Sequence, residues 1–165
     1  MEQTISTELP PLLCKVLDMG FKIFDDAPFD LNIIGERTLP GTDNIFDDYI
    51  NVIYKDELGR WAHERFKATT DPGRYWLTKS DYKPCAIVVH PQQARGAYKL
   101  GKHRGSYDAL VQWRPLQLWR DGDKDTHADY NGPITRETVG INIHRSSSKP
   151  DGSVYVDRWS AGCQV

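Results

Sequence analysis

Glycine and proline interrupt this chain at short intervals. The 165 residues hold thirteen Gly and ten Pro, spread along the sequence rather than clustered. Such punctuation favours short strands joined by tight turns over long helices. The clearest unit is Tyr49 to Tyr54, a turn at Asp56 to Gly59, and a return over Trp61 to Ala68. Period-two alternation and hairpin chemistry agree there. Further strands are expected over Phe29–Thr38, Cys85–His90, Tyr107–Gln112, Leu116–Arg120, Thr138–His144 and Val154–Asp157. Thr69 to Gly73 reads as a turn, and Tyr75 to Leu77 as a short strand or a cover on a core edge. Gln92 to Gly105 reads as a basic, glycine-punctuated loop. The DGDKDTHADYNG segment that begins at Asp121 reads as a polar hairpin loop. Leu9, Leu12, Leu13, Val16, Leu17 and Met19 fall on one face of a short N-terminal helix, capped by Thr7 and ended by Gly20. The expected fold is mainly β, in one domain spanning 1–165. Residues 1–27 form the helix and lead-in, and 28–165 the β-rich body.

The charges nearly cancel, with 21 basic and 23 acidic residues and no basic block, so a nucleic-acid partner has no support. The N-terminus lacks a basic region and a long apolar core, which is not the pattern of a secretory signal, and no run reaches membrane-spanning length. The expectation is a monomeric chain made in the cytoplasm, with no membrane insertion. Cys14, Cys85 and Cys163 are an odd set without repeated spacing, which argues against a disulfide framework. Cys14 and Cys85 lie in apolar surroundings and read as small core residues. No CxxC occurs, and Asp121, Asp123 and Asp125 lack the glycine and glutamate that a calcium loop needs. His63 reads as a surface or lightly buried strand histidine, and His90 as a strand-end histidine whose bonds are satisfied.

The chemistry concentrates between Gly140 and Val165. An apolar run delivers His144, and after a polar stretch and a second short strand the chain reaches Trp159-Ser160-Ala161-Gly162-Cys163. Nineteen positions separate His144 from Cys163, room for a strand, a loop and a returning strand. A thiol nucleophile needs a base within hydrogen-bond reach, and small residues beside the sulfur leave room for substrate. The small-residue approach Ser160-Ala161-Gly162 also lets backbone N–H groups point at an oxyanion. Arg145 and Arg158 lie close in sequence, and nearby positive charge lowers a thiol pKa. His103 and Tyr107, with Arg145 and Arg158, are the candidate substrate-binding residues. Arg95, Lys99, Lys102 and Arg104 add positive charge around His103, suited to an anionic substrate.

His144 with Ser160-Ala161-Gly162-Cys163 resembles the catalytic signature of the L,D-transpeptidase (YkuD-like) family: a strand-borne His, a loop, then Ser-x-Gly-Cys. The order, His before Cys, differs from NlpC/P60-type peptidases, and sortases separate the two by a longer stretch. Ala161 stands where the family often has His, and Gln164 and Val165 where it usually has Arg. The resemblance implies a β-sandwich-like or barrel-like catalytic domain without a cofactor. It implies Cys163 as nucleophile and His144 as base, with Ser160 shaping the loop and the backbone N–H groups of Gly162 and Cys163 facing the oxyanion, in attack on the amide next to a meso-diaminopimelate in a peptidoglycan stem peptide. The acyl group then passes to an amine, as a transpeptidase, or to water, as an L,D-endopeptidase. With no export signal in view, such chemistry suits a phage endolysin, a virion-carried enzyme or a secretion-system effector.

Two other classes fit the same residues. A metal-dependent wall peptidase would use His103, His144 and Cys163 with His127 or Asp125, although HExxH is missing. A non-catalytic phage structural or wall-binding module would keep the fold without the reaction.

Overall fold

In the computed structural model, which describes residues 2–147 and 152–165, the expected hairpin forms as β3 (Asp48–Lys55) and β4 (Trp61–Ala68). The Asp56 carboxylate accepts the N–H groups of Leu58 and Arg60 at 2.9 Å. Gly59 adopts φ +73, a left-handed conformation that costs an L side chain more than glycine. Two edge strands complete a four-stranded antiparallel sheet in the order β1-β4-β3-β2, with β1 at Glu2–Ser6 and β2 at Asn32–Glu36. The sequence pattern missed β1, and β2 is shorter than the expected Phe29–Thr38. Helix α1 runs Pro11–Asp18, with Pro10 rather than Thr7 at its N-cap. It stops at Met19, with Gly20 at φ +77 just beyond, as the glycine predicted. Leu13, Ile53 and Trp61 form the core of this unit, and each fully buried aliphatic chain contributes about 1.5–3 kcal/mol. Cys14, expected in a core, is exposed, because α1 turns its Leu13 face inward.

Contacts divide the chain into two compact units, residues 1–37 with 48–67, and residues 38–47 with 68–165. The second unit holds a three-stranded sheet, β5-β8-β9, made of β5 (Cys85–Val88), β8 (Leu116–Asp121) and β9 (Thr135–Glu137). It also holds a two-stranded hairpin of β6 (Tyr98–His103) and β7 (Tyr107–Gln112). None of the described sheets closes into a barrel. Ala86, Ala97, Leu116, Leu118 and Ile141 form the core. The loop between β8 and β9 is a polar hairpin connection, held by Asp123, Asp125 and Asp121 accepting the N–H groups of Asp125, His127 and Asp129.

Several expectations for this unit are corrected. Tyr75 to Leu77 lies in a single helical turn, α2 (Arg74–Leu77). Gln92 to Gly105 is not all loop: β6 occupies its second half, because its residues pair in antiparallel register with β7 over the whole span. Thr138 to His144 is not a strand. β9 ends at Glu137, and between Thr138 and His144 only Ile143 makes bridges, to Leu110 and Gln164. Val154 to Asp157 is likewise reduced to a bridge between Tyr155 and Ile45. His90 lies past the end of β5 and packs its ring against Trp119 and Tyr130.

Candidate active site

The β6–β7 hairpin presents the first two residues of the site. Arg104 and Gly105 both sit at positive φ, +48 and +72, and the Ser106 N–H closes the turn on the His103 carbonyl at 2.9 Å. The register places His103 directly opposite Tyr107 at the hairpin tip.

His144 arrives on an irregular segment that a buried glutamine holds. Gln112 Oε1 accepts the N–H groups of Val139, Gly140 and Ile141 at 2.9–3.0 Å. Its Nε2 donates to the carbonyls of Arg114 and Glu137. One side chain thus replaces the ladder that the backbone lacks there. Ile143 exchanges both backbone bonds with Leu110, at 2.8 and 3.0 Å.

On its other side, the segment pairs with the chain's last residues. Gln164 N–H donates to the Asn142 carbonyl, and His144 N–H to the Gln164 carbonyl, a parallel bridge about Ile143 and Gln164. The expected meeting across adjacent extended segments therefore occurs, but in parallel rather than on a returning strand. Alternation then sets Cys163 on the same face as Asn142 and His144. Val165 exchanges both backbone bonds with Thr69, which holds the segment from the far side.

The approach to the cysteine leaves little freedom. Gly162 has φ +138, and a Cβ there would lie 2.4 Å from the Ala86 carbonyl oxygen, so only glycine fits. The fully buried Ser160 hydroxyl donates to the Cys163 carbonyl at 2.8 Å and accepts the Gly162 N–H at 3.1 Å. Ser160 therefore shapes the loop as expected, but it occupies the Gly162 N–H that was assigned to the oxyanion. The Cys163 N–H has no partner among the described residues. It is the donor left for an oxyanion.

One ring nitrogen each of His103 and His144 and the sulfur of Cys163 lie within 4.8 Å of one another. His144 Nδ1 is 2.9 Å from the Arg145 carbonyl oxygen and 3.0 Å from the Tyr107 hydroxyl. A carbonyl only accepts, so the proton sits on Nδ1 and the lone pair on Nε2. That Nε2 is buried and has no hydrogen-bond partner among the described residues. An orphaned buried nitrogen carries a desolvation cost, and sites of chemistry are where such costs recur.

His103 stacks on His144, with ring centroids 3.9 Å apart. Its tautomer is also set. Asn142 Oδ1 accepts the Gln112 N–H at 3.0 Å, so the Asn142 amide nitrogen faces His103 Nδ1 at 3.1 Å and donates to it. The His103 proton is therefore on Nε2. A metal held by Nε2 of both rings would need a proton on His103 Nδ1, facing the Asn142 donor. The donor set thus suits proton transfer better than a three-ligand metal cage. His127 and Asp125, the other members of the metal alternative, lie on the surface, where His127 pairs with Asp43 at 3.2 Å.

Burial dominates the electrostatics. It raises the Cys163 thiol above the usual range, outweighing a hydrogen bond from the Asn142 backbone and the charge of Arg104. Burial also lowers His144, against the Arg145 carbonyl bond that favours its charged form. His103 is pushed down to about 4 by burial, then by His144 and Arg104. The resting pair is a neutral thiol beside a neutral imidazole. Arg104, not Arg145 or Arg158, is the cation that lowers the thiol. The Arg145 guanidinium lies over the Tyr107 ring at 5.0 Å, and that of Arg158 over Tyr75 at 4.2 Å. The Cys163 S–H rests on the Gly140 carbonyl at 3.5 Å, a weak bond easily exchanged.

The structure therefore brings together Cys163, His144, His103, Tyr107 and the Arg145 carbonyl, and leaves the Arg158 side chain on a separate cleft. Sequence reasoning missed Asn142 and Gln112, and read Arg104 as charge for an anionic substrate rather than as the cation acting on the thiol. Asn142 stands two positions before His144, and alternation across that spacing was the available signal. Gln112 had none, because its three acceptor contacts come from residues 27–29 positions away. No protein-family model, curated protein or solved structure matches the chain.

Proposed function

We propose that this protein is a cysteine-dependent acyl-transfer enzyme of the L,D-transpeptidase kind, acting on peptidoglycan stem peptides. The observation that carries the reading is the His144 ring: Nδ1 tied to the Arg145 carbonyl, Nε2 buried and unpartnered, and the Cys163 sulfur in the same 4.8 Å cluster. As substrate binds, His144 Nε2 takes the thiol proton while sulfur attacks the amide carbonyl. The Cys163 N–H faces the oxyanion, His144 returns the proton to the leaving amine, and a thioester remains. His144 then deprotonates the incoming amine or water, which displaces the sulfur. His103, neutral above about pH 4, adds no charge to oppose the imidazolium that forms between these steps. The chain would meet the cell wall after release or injection, as a phage-borne enzyme does.

The test is acyl-enzyme trapping. Intact-mass spectrometry after mixing with a meso-diaminopimelate tetrapeptide should show a covalent adduct on the wild type and none on Cys163→Ala. An adduct on the alanine variant would defeat the assignment. The grouping of two His and one Cys also permits the metal-dependent reading. Activity lost to a chelator and restored by zinc would establish that one instead.

A further inference from the structure

We propose that a cleft beside the nucleophile loop is a saccharide subsite for the N-acetylated glycan that carries the stem peptide. This rests on the peptidoglycan reading above and adds to it a second contact with the substrate. The cleft has a volume of about 610 Å³, and Arg74, Tyr75, Tyr155, Asp157, Arg158 and Trp159 line it. That volume falls within the roughly 300–1,000 Å³ of sites that take small ligands.

Its chemistry is that of sugar recognition. Tyr155 is 56% and Trp159 40% exposed, so aromatic surface stands in water at the cleft. The C–H faces of a pyranose ring cover such surface, while its hydroxyls and acetamido groups need polar partners at the edge. Arg74 and Arg158 supply planar donor forks, and neither forms an ion pair among the described residues. The Arg158 guanidinium lies over the Tyr75 ring, its central carbon 4.2 Å from the ring centroid, a contact that fixes its place at the cleft. The Asp157 carboxylate accepts one bond from Asn44 and retains capacity for a hydroxyl.

The walls are built before any ligand arrives. Asn44 Oδ1 accepts the N–H groups of Arg74 at 3.0 Å and Asp157 at 2.8 Å, and its Nδ2 donates to Asp157 Oδ1. Trp76 Nε1 donates to the Arg158 carbonyl at 3.1 Å. A Cβ on Gly73 would lie 2.2 Å from the Asp157 carbonyl oxygen, so two backbones touch at the base of the cleft. Such a preset frame reduces the ordering cost of binding.

Reach fits as well. Cys163 lies four positions after Trp159, which limits their Cα atoms to at most about 14 Å apart. An extended stem of three residues spans about 10 Å on the same scale. A sugar in the cleft would thus place an amide a few residues down the stem near the sulfur.

The test titrates Cys163→Ala with the N-acetylglucosamine–N-acetylmuramic acid disaccharide, its lactyl carboxyl amidated and no peptide attached. The Trp159 indole resonance, assigned with Trp159→Phe, should shift saturably, and Tyr155→Ala or Arg158→Gln in the same background should weaken binding at least tenfold. Both side chains are exposed or partly so, and melting curves confirm that the variants fold. No shift at Trp159, or equal binding by folded variants, would overturn the subsite. A separate arm measures acylation of the wild type by the free tetrapeptide. Acylation there with no sugar binding defeats the subsite alone, whereas no acylation defeats the catalytic reading.

Discussion

The two units of this protein are held by different kinds of bond. The sheet of residues 1–37 and 48–67 rests on continuous backbone ladders over a core of Leu13, Ile53 and Trp61. The unit that carries Cys163 has shorter strands, and its critical segments lie outside them. There Gln112, Asn44, Ser160 and Asn142 bond to backbone or to one another where a ladder would otherwise run. A ladder tolerates the loss of most single side chains, because the backbone makes its bonds. A segment held by one amide does not. The price of placing a histidine off the sheet is dependence on a few polar side chains.

The sharpest break of that comparison is at Cys163, the proposed nucleophile. Cys163→Ala should reduce acyl transfer by about 10⁴-fold or more while the melting temperature stays near that of the wild type. The sulfur makes a long bond to the Gly140 carbonyl and a weak one with the Asn142 backbone, so stability has little to lose. Next is Gln112→Leu, which strands the N–H groups of Val139, Gly140 and Ile141. Each buried unpaired group costs about 1–3 kcal/mol, so denaturant melts should show a large loss of stability. Activity per folded molecule should also fall by about 100-fold as His144 shifts. Ile53→Ala, in the first unit, should cost about 2–5 kcal/mol in the same melts yet leave that activity unchanged. An equal loss of activity in both variants would erase the distinction between the units.

The smallest effects are in pH. The His144 pKa is lowered by burial, so the acid limb of kcat/KM should lie below pH 6.5. The Cys163 thiol is raised, so alkylation by iodoacetamide should accelerate only above pH 9. A limb above 6.5, or fast alkylation at neutral pH, would instead indicate a preformed thiolate–imidazolium pair. For stability, His103 has a folded pKa of about 4, below its unfolded value. Between those values the unfolded chain binds more protons. Stability should therefore fall as pH drops from about 6.5 towards 4, and His103→Gln should flatten that slope.

Legibility followed the same division. The β3–β4 hairpin was readable because alternation, the Asp56 turn and Gly59 are all local, and β7 matched its expected span residue for residue. The same alternation failed between Thr138 and His144, where apolar residues look like a strand but only Ile143 bridges its neighbours. It failed again over Tyr98 to His103, where glycine and lysine suggested a loop and pairing with β7 made a strand.

Residue type and spacing singled out His144 and Cys163 as a candidate pair, whereas a loop-shaping role for Ser160 came only with the family resemblance. By itself the sequence determined the mainly β fold, the short N-terminal helix and the principal hairpin, and it singled out His144 and Cys163 as the candidate pair, since each depends on periodicity or on residues close together. Only the tertiary structure decided which nitrogen of His144 is free, that Arg104 rather than Arg145 or Arg158 acts on the thiol, and that Asn142 sets the His103 tautomer. Those outcomes depend on hydrogen bonds and burial among residues far apart in the chain, and no local pattern records which distant carbonyl or amide a ring nitrogen will meet.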